Sequence, residues 1–190
     1  MRAGPPPLVN PANAITLGRA LAAPFIVLLA VQADGPSLAA AVLFVLAAAS
    51  DALDGYVART RGLVTDLGTL LDPFVDKLLV CSALAAVAAS GRVGFWVVLT
   101  VLAREVGVTW MRSMARQRGV LLGALPMGKA KMGLQCVTVV ALLAAPSTGA
   151  TWVEILVLAM VAATLASWVD YAQALRRGGV AINAEVSRIS

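Results

Sequence analysis

The chain has 190 residues, of which 60% are hydrophobic and 13% charged, with a mean hydropathy of +0.87 and a net charge of +5. Soluble domains are about half apolar and about one quarter charged, so this composition excludes an ordinary soluble domain and indicates an integral membrane protein. The length accommodates one domain, which we expect to cover residues 1–190. Both cysteines lie within apolar segments, so no disulfide is predicted.

Apolar segments close to the ~20 residues that cross a bilayer as a helix recur along the chain. Glycine, proline and charged residues mark the breaks between them. The predicted fold is therefore an all-α membrane bundle of six transmembrane helices. These cover residues 15–31, 37–54, 70–89, 95–114, 132–145 with an extension toward Lys129, and 152–175. Residues 1–12 are expected to form a flexible N-terminal segment and residues 176–190 a cytoplasmic C-terminal tail.

Basic loop residues fall mainly on one side of such a bundle. If the N-terminus is cytoplasmic, the outer loops hold only Arg92. The positive-inside rule then predicts that both termini face the cytoplasm, in a multi-pass protein of the cell membrane. A basic cytoplasmic side would attract anionic lipid headgroups or phosphorylated substrates, and we expect no nucleic-acid partner. The basic residues of the inner side are Arg2, Arg59, Arg61, Arg116, Arg118, Lys129, Lys131, Arg176, Arg177 and Arg188.

One stretch interrupts the apolar sequence with four spaced aspartates. From Asp51 to Asp76 it reads DALDGYVARTRGLVTDLGTLLDPFVD, which is D-x-x-D-G-x-x-A-R, eight residues, then G-x-x-x-D-x-x-x-D. Asp51 and Asp54 share one face of a helix, and Asp72 and Asp76 share a face of the next. A charged carboxylate at the centre of a membrane helix costs roughly 2.5–3.5 kcal/mol, so this group needs a compensating cation.

The chemistry of these ligands selects the cation. Clustered carboxylate oxygens suit the hard ions Mg²⁺ and Mn²⁺, and the chain has no histidine to bind Zn²⁺. We expect the two acidic stripes to face each other across a polar link around residues 59–66. A cation channel or transporter built on the same carboxylates remains an alternative, as does a membrane scaffold.

The same stretch resembles the signature of the CDP-alcohol phosphotransferases, with every fixed position present. Members of that family are six-helix membrane enzymes, usually homodimers, which transfer a phosphatidyl or related group from a CDP-linked donor to an alcohol and release CMP. The resemblance therefore implies a transferase and a homodimer. The matching positions are Asp51, Asp54, Gly55, Ala58, Arg59, Gly68, Asp72 and Asp76.

Two further segments are similar to bacterial phosphatidylglycerophosphate synthases within that family. The first is the N-terminal stretch from Asn10 to Arg19, and the second runs from Arg104 and Glu105 to Gln135. This similarity implies transfer of the phosphatidyl group of CDP-diacylglycerol to sn-glycerol 3-phosphate. Phosphatidylinositol phosphate synthase, or another family member with a different acceptor, stays an alternative because the aspartate motif does not distinguish acceptors.

The resemblance also implies roles for the motif. Asp51, Asp54, Asp72 and Asp76 would bind Mg²⁺ or Mn²⁺, two ions in all, because paired cations neutralise a diphosphate and stabilise the leaving phosphate. Asp76 would also act as the general base. The CDP-binding residues implied are Asp51, Asp54, Gly55, Ala58, Arg59, Gly68 and Asp72. For Arg59, a simple anchor on the inner side is the alternative.

An acceptor that carries a phosphate requires a basic pocket. The candidates are Arg112, Lys131, Lys129 and Arg116, since arginine and lysine bind phosphate through charge-assisted hydrogen bonds. For each of them, a charge that only sets membrane topology is the alternative. Arg104 and Glu105 lie deeper in the fourth helix, where they would pair with each other or with Arg19 to organise the helices.

Overall fold

The computed structural model describes the backbone of residues 11–33, 35–61, 66–117 and 126–189, and the side chains of residues 15–33, 35–50, 74–117 and 131–176. All regular structure in these ranges is helical, which confirms the all-α prediction. Apolar sequences of this length favour helices because a helix satisfies its backbone hydrogen bonds internally. The helices are α1 (Pro11–Gln32), α2 (Leu38–Arg61), α3 (Asp66–Ala89), α4 (Phe95–Gln117), α5 (Pro126–Ala144) and α6 (Thr151–Ile189).

The helices extend beyond the apolar segments that predicted them. α1 already begins at Pro11, inside the segment expected to be flexible, because proline suits the first position of a helix. The predicted link between the acidic stripes is wrong in extent, since α2 continues to Arg61 and α3 begins at Asp66. The predicted tail is helical as far as Ile189, and no proline after Thr151 interrupts it.

Large apolar side chains cover the outside of the described bundle. On α1 they form one stripe, with Leu17, Leu21 and Phe25 each 58–62% exposed. An apolar surface of this extent is unfavourable in water and suits a lipid environment. Two described helical segments, Ile15–Gln32 and Thr151–Arg176, are long and apolar enough to cross a bilayer. The chain is a membrane protein.

The helices pack as two groups of three. In the first group α1 contacts both α2 and α3 most extensively, and in the second α6 contacts both α4 and α5. Alanines such as Ala40, Ala83 and Ala86 are almost fully buried and allow helix axes to approach closely. The largest core side chains, including Phe44 and Ile26, lie away from the acidic motif along their helices. The buried charged residues Arg19, Arg104 and Lys131 lie nearer the other end of the bundle.

A tight turn joins α3 to α4. Gly91 adopts φ of +68°, a left-handed conformation that glycine tolerates and that commonly ends a helix. The neighbouring Arg92 extends to the end of α5, where its Nε donates to the carbonyl of Leu142 at 3.0 Å and an Nη donates to that of Ala145. A cation at a helix C-terminus is favourable, so this side chain fastens the two groups of helices together.

Candidate active site

The aspartate motif covers the last turns of α2 and the first turns of α3. The backbone of residues 51–61 and 66–76 is helical, so the predicted stripes of Asp51 with Asp54 and of Asp72 with Asp76 follow from helix geometry. The structure describes the Asp76 side chain, whereas the other motif side chains lie outside the described residues. Those others are Asp51, Asp54, Gly55, Ala58, Arg59, Gly68 and Asp72.

Asp76 is paired with an arginine of the first helix. Nη1 of Arg19 donates to Oδ1 of Asp76 at 2.5 Å, with the arginine side chain 2% exposed and the aspartate 20%. A buried guanidinium requires such a partner, and in return it orients the carboxylate. Thr16 is also buried, one turn before Arg19 on α1. The N-terminal segment that resembles phosphatidylglycerophosphate synthases thus contributes directly to the surroundings of the last motif aspartate.

The next residue on α3 faces a second charged cluster. Nζ of Lys77 donates to the Thr109 hydroxyl at 2.6 Å and lies 3.9 Å from Oε2 of Glu105. Oε1 of Glu105 accepts from the Lys131 ammonium and from Nη1 of Arg104, the latter at 3.0 Å. The Lys131 side chain is 3% exposed and that of Arg104 is 7% exposed. Glu105 therefore holds three cations, from α3, α4 and α5.

Two arginines of α4 stack on one tyrosine of α6. The guanidinium carbon of Arg112 lies 5.0 Å from the ring centre of Tyr171, and that of Arg104 lies 5.6 Å from it. Nη2 of Arg112 also donates to the Tyr171 hydroxyl at 2.7 Å, and Nε of Arg104 donates to the Ser167 hydroxyl at 2.9 Å. Both distances to the ring fall within the range of cation–π attraction.

Close packing of α4 on α6 makes these contacts feasible. A β-carbon at Gly107 would lie 3.0 Å from Cζ2 of Trp168, so the indole ring packs directly against the glycine. Gly107 lies between Arg104 and Arg112 on α4, and Trp168 lies between Ser167 and Tyr171 on α6. The missing side chain at Gly107 thus lets the two helices approach where both arginines meet the tyrosine.

The described charges in this region do not balance. Lys77, Arg104 and Lys131 carry three positive charges, and Glu105 is the carboxylate that they contact, while Arg112 meets Arg104 at the ring of Tyr171. Surplus cations in a mostly buried setting are stabilised by an anion, and arginine and lysine donors suit the oxygens of a phosphate. We call these five residues together with Tyr171 the basic cluster.

A groove between α3 and α4 lies beside the basic cluster. Its volume is about 710 Å³, and its walls are mainly apolar, including Phe74, Leu78, Leu102 and Trp110. Lys77, Glu105 and Thr109 supply polar atoms along it. A lining of this kind suits hydrocarbon better than a small polar molecule.

The structure separates the predicted basic residues. Arg112 and Lys131 belong to the basic cluster, Arg116 is exposed in the last turn of α4, and the Lys129 side chain lies outside the described residues. The prediction that Arg104 pairs with Glu105 is confirmed, whereas Arg19 pairs with Asp76.

Three contributors were not predicted from the sequence. They are Lys77, Tyr171 and Arg19, the last as the partner of Asp76. All three act through contacts between distant segments. An arginine inside an apolar helix is itself a signal of a partner, and it could have identified Arg19. Tyr171 gave no comparable signal, because an amphipathic aromatic residue near the end of an apolar segment is ordinary in a membrane protein.

A group of four carboxylates is a suitable donor set for divalent cations. The described side chains include no group of three or more acidic, cysteine or histidine residues, so any such site depends on the motif aspartates that accompany Asp76. Oxygen-only donors from two consecutive helices suit Mg²⁺ or Mn²⁺.

Comparison with known protein sequences gives matches over most of the chain. A sequence model of the CDP-alcohol phosphatidyltransferase family matches residues 9–170. A probable phosphatidylglycerophosphate synthase of Mycobacterium tuberculosis is 36% identical over 186 residues, covering 94% of this chain and 88% of that protein.

Two other relatives carry the name CDP-diacylglycerol–glycerol-3-phosphate 3-phosphatidyltransferase. The protein of Shigella flexneri serotype 5b is 34% identical over 164 residues, which cover 81% of this chain and 87% of the relative. The protein of Bacillus subtilis is 41% identical over 106 residues, 56% of this chain and 55% of the relative. With the family match extending over most of the chain, this protein belongs to the CDP-alcohol phosphatidyltransferase family.

Proposed function

We propose that this chain transfers the phosphatidyl group of CDP-diacylglycerol to sn-glycerol 3-phosphate, giving phosphatidylglycerol phosphate and CMP. The observation that carries the proposal is the arrangement around two adjacent residues of α3. Asp76 contacts Arg19 on one side, and Lys77 contacts Thr109 in the basic cluster on the other. The carboxylate proposed for the reacting hydroxyl is therefore next in sequence to Lys77, which belongs to the group of cations proposed for the phosphate. The names of the relatives support the same reaction.

Asp76 is the proposed general base. It takes the proton from the acceptor hydroxyl, whose oxygen attacks the phosphorus of the phosphatidyl group, and the bond to the CMP oxygen breaks. The contact with Arg19 fixes the direction of the carboxylate during this step. No covalent enzyme intermediate is required.

Asp51, Asp54 and Asp72, together with Asp76, are the proposed ligands for two Mg²⁺ or Mn²⁺ ions. Such ions supply neutralisation of the diphosphate and of the charge that develops on the leaving phosphate. The proposed CDP site comprises Asp51, Asp54, Gly55, Ala58, Arg59, Gly68 and Asp72. Small residues there leave room for the nucleotide, and Arg59 supplies a positive charge.

The acceptor phosphate is proposed to bind Arg112 and Lys131, with contributions from Lys129 and Arg116. The charge surplus of the basic cluster supports this assignment. Lys131 already donates to Glu105, but an ammonium carries three donors, so one carboxylate contact leaves capacity for an anion. Glu105 would then orient Lys131 toward the phosphate.

For the membrane arrangement we propose one domain over residues 1–190 with six transmembrane spans, cytoplasmic termini and a homodimeric assembly. The distribution of basic loop residues supports the orientation. Arg19 contacts Asp76 near the middle of α1 and α3, and Ser90, just after α3, donates to the Ala30 carbonyl near the end of α1, which is consistent with two helices that run in the same direction. The active site would face the cytoplasm of a multi-pass cell-membrane protein.

The test is CMP release by the purified full chain in detergent. CDP-diacylglycerol would be supplied with Mg²⁺ or Mn²⁺ and either glycerol 3-phosphate or inositol phosphate. We expect release with glycerol 3-phosphate that stops when EDTA removes the metal. Release with inositol phosphate alone would keep the family chemistry and reject the acceptor. Folded protein that releases no CMP but conducts cations in proteoliposomes would favour transport.

A further inference from the structure

Tyr171 is the one buried tyrosine in the described part of the chain, and it receives two arginines. Its side chain is 3% exposed, on the same face of α6 as Ser167 one turn earlier. The ring is shared, but the hydroxyl is not, because it accepts from Arg112 and not from Arg104. The matched family region ends at residue 170, so the tyrosine lies just beyond it.

We propose that Tyr171 is a positioning residue that fixes the Arg112 guanidinium for recognition of the phosphate on the acceptor. This inference rests on the proposed function, in which Arg112 binds that phosphate. The hydroxyl contact at Nη2 and the stacking contact at the ring act on the same guanidinium. Together they define both the position and the plane of a group whose five donors have a fixed geometry.

The contacts of the other arginine indicate that this role is specific. Arg104 is held by the Ser167 hydroxyl and by the carboxylate of Glu105 as well as by the ring. Its charge is therefore paired, and its contacts suffice for joining α4 to α6. Arg112, two turns closer to the end of α4, contacts the hydroxyl of Tyr171 as well as its ring. A structural role alone would be served by the ring, without a hydroxyl directed at Arg112.

Tyr171 would favour phosphate binding because it orders the Arg112 side chain before the phosphate arrives. An arginine loses rotamer freedom when it binds an anion, and an arginine that is already immobilised loses less. The effect should appear in recognition of the acceptor and not in the binding of CDP-diacylglycerol. It should also depend on Arg112, since Tyr171 does not have to touch the substrate.

The first experiment measures CMP release by the full chain carrying Tyr171→Phe, which keeps the ring and removes the hydroxyl. The KM for glycerol 3-phosphate should rise about tenfold, as expected when a hydrogen bond to a charged group is lost. The KM for CDP-diacylglycerol and kcat should change less than about twofold. In an Arg112→Ala background, the same substitution should no longer change the acceptor KM, because coupled residues are not additive.

The matched control is Thr164→Val on the same helix. Thr164 is fully buried, and its hydroxyl donates to the carbonyl of Met160 within α6. Loss of this hydroxyl should leave the acceptor KM unchanged. If both substitutions raise it equally, or if Tyr171→Phe changes kcat and both KM values in parallel, Tyr171 has a structural role and the proposal is overturned.

A second measurement leaves Tyr171 unsubstituted, so it does not depend on whether a Tyr171 variant folds. The chain has two tyrosines, Tyr56 and Tyr171, so 3-fluorotyrosine labelling gives two fluorine NMR signals, and Tyr56→Phe identifies the one from Tyr171. That signal should shift when glycerol 3-phosphate or inorganic phosphate is added, but not with glycerol. The shift should be absent in Arg112→Ala. A signal that stays unchanged at saturating glycerol 3-phosphate would overturn the proposal.

Failure of the proposed function gives a different result. In that case the unsubstituted chain releases no CMP with glycerol 3-phosphate. If the unsubstituted chain is active and Arg112→Ala raises the acceptor KM, but Tyr171→Phe does not, only the positioning role is rejected.

Discussion

Substitution of Glu105 by glutamine tests the buried charge network most directly. Glutamine keeps the shape of the side chain and a carbonyl acceptor, but it removes the negative charge that Lys131 and Arg104 share. Both cations are at most 7% exposed, and separating a buried ion pair costs about 3–5 kcal/mol. Lys77 is 35% exposed and lies 3.9 Å away, so it adds little.

The expected loss is about 3 kcal/mol, the lower end of that range, because the retained carbonyl still accepts a hydrogen bond. For a chain of this size each kcal/mol corresponds to roughly 2–4 °C in Tm, which gives a decrease of roughly 6–12 °C. The assay is thermal unfolding of detergent-purified protein followed by tryptophan fluorescence. Glu154→Gln is the matched control, since Glu154 is exposed in the first turn of α6 and its loss should change Tm by about 1 °C or less.

A compensating substitution completes the test. Adding Lys131→Met to Glu105→Gln removes one of the buried cations left without a carboxylate, and it should recover at least about a third of the lost Tm. A decrease of less than about 2 °C for Glu105→Gln would refute the reasoning. The same conclusion would follow if the double substitution were no more stable than the single one.

Three other substitutions probe separate parts of the chain. Asp76→Asn should lower kcat at least about a hundredfold while the protein still folds and binds CDP-diacylglycerol, although Tm should fall because the charge that pairs with buried Arg19 is removed; a loss of folding as large as the loss of turnover would make the site structural. Arg92→Ala should lower the free energy of unfolding by about 2 kcal/mol, because it removes a charged donor from the Leu142 carbonyl, and an unchanged Tm would contradict the bridging role. Nε2 of Gln135 is buried without a hydrogen-bond partner in the described structure. Gln135→Leu should therefore raise the free energy of unfolding by about 1 kcal/mol, measured by thermal unfolding. A decrease would indicate that the amide has a partner.

The helices themselves could be predicted closely from the sequence. Span length and the glycine and proline breaks located all of them, because a helix in lipid must be apolar for about 20 residues. Their ends were less predictable. Hydropathy falls at Asp54, but the helix continues to Arg61, since helical geometry depends on the backbone and not on polarity. For the same reason, α6 extends beyond its apolar segment and ends at Ile189.

The candidate site was predictable where its chemistry is local. Within each pair, the aspartates of the motif are three or four residues apart, so helix geometry alone brings each pair to one face. Contacts between distant segments were less accessible. Arg19 and Asp76 are 57 positions apart, and Arg112 and Tyr171 are 59 apart. Periodicity within one helix contains no information about which neighbouring helix meets it, so Tyr171 emerged only from the packing of α6 on α4.

On the proposed site assignment, the division of the bundle into two groups of three helices separates the residues for the two substrates. The aspartate motif belongs to α2 and α3, which pack on α1, whereas all of the basic cluster except Lys77 belongs to α4, α5 and α6. If that assignment is correct, substitutions in the second group alter which alcohol is accepted without disturbing the carboxylates proposed to serve the nucleotide donor. Donor and acceptor recognition would then diverge independently, and exchange of the last three helices between relatives would change the product lipid.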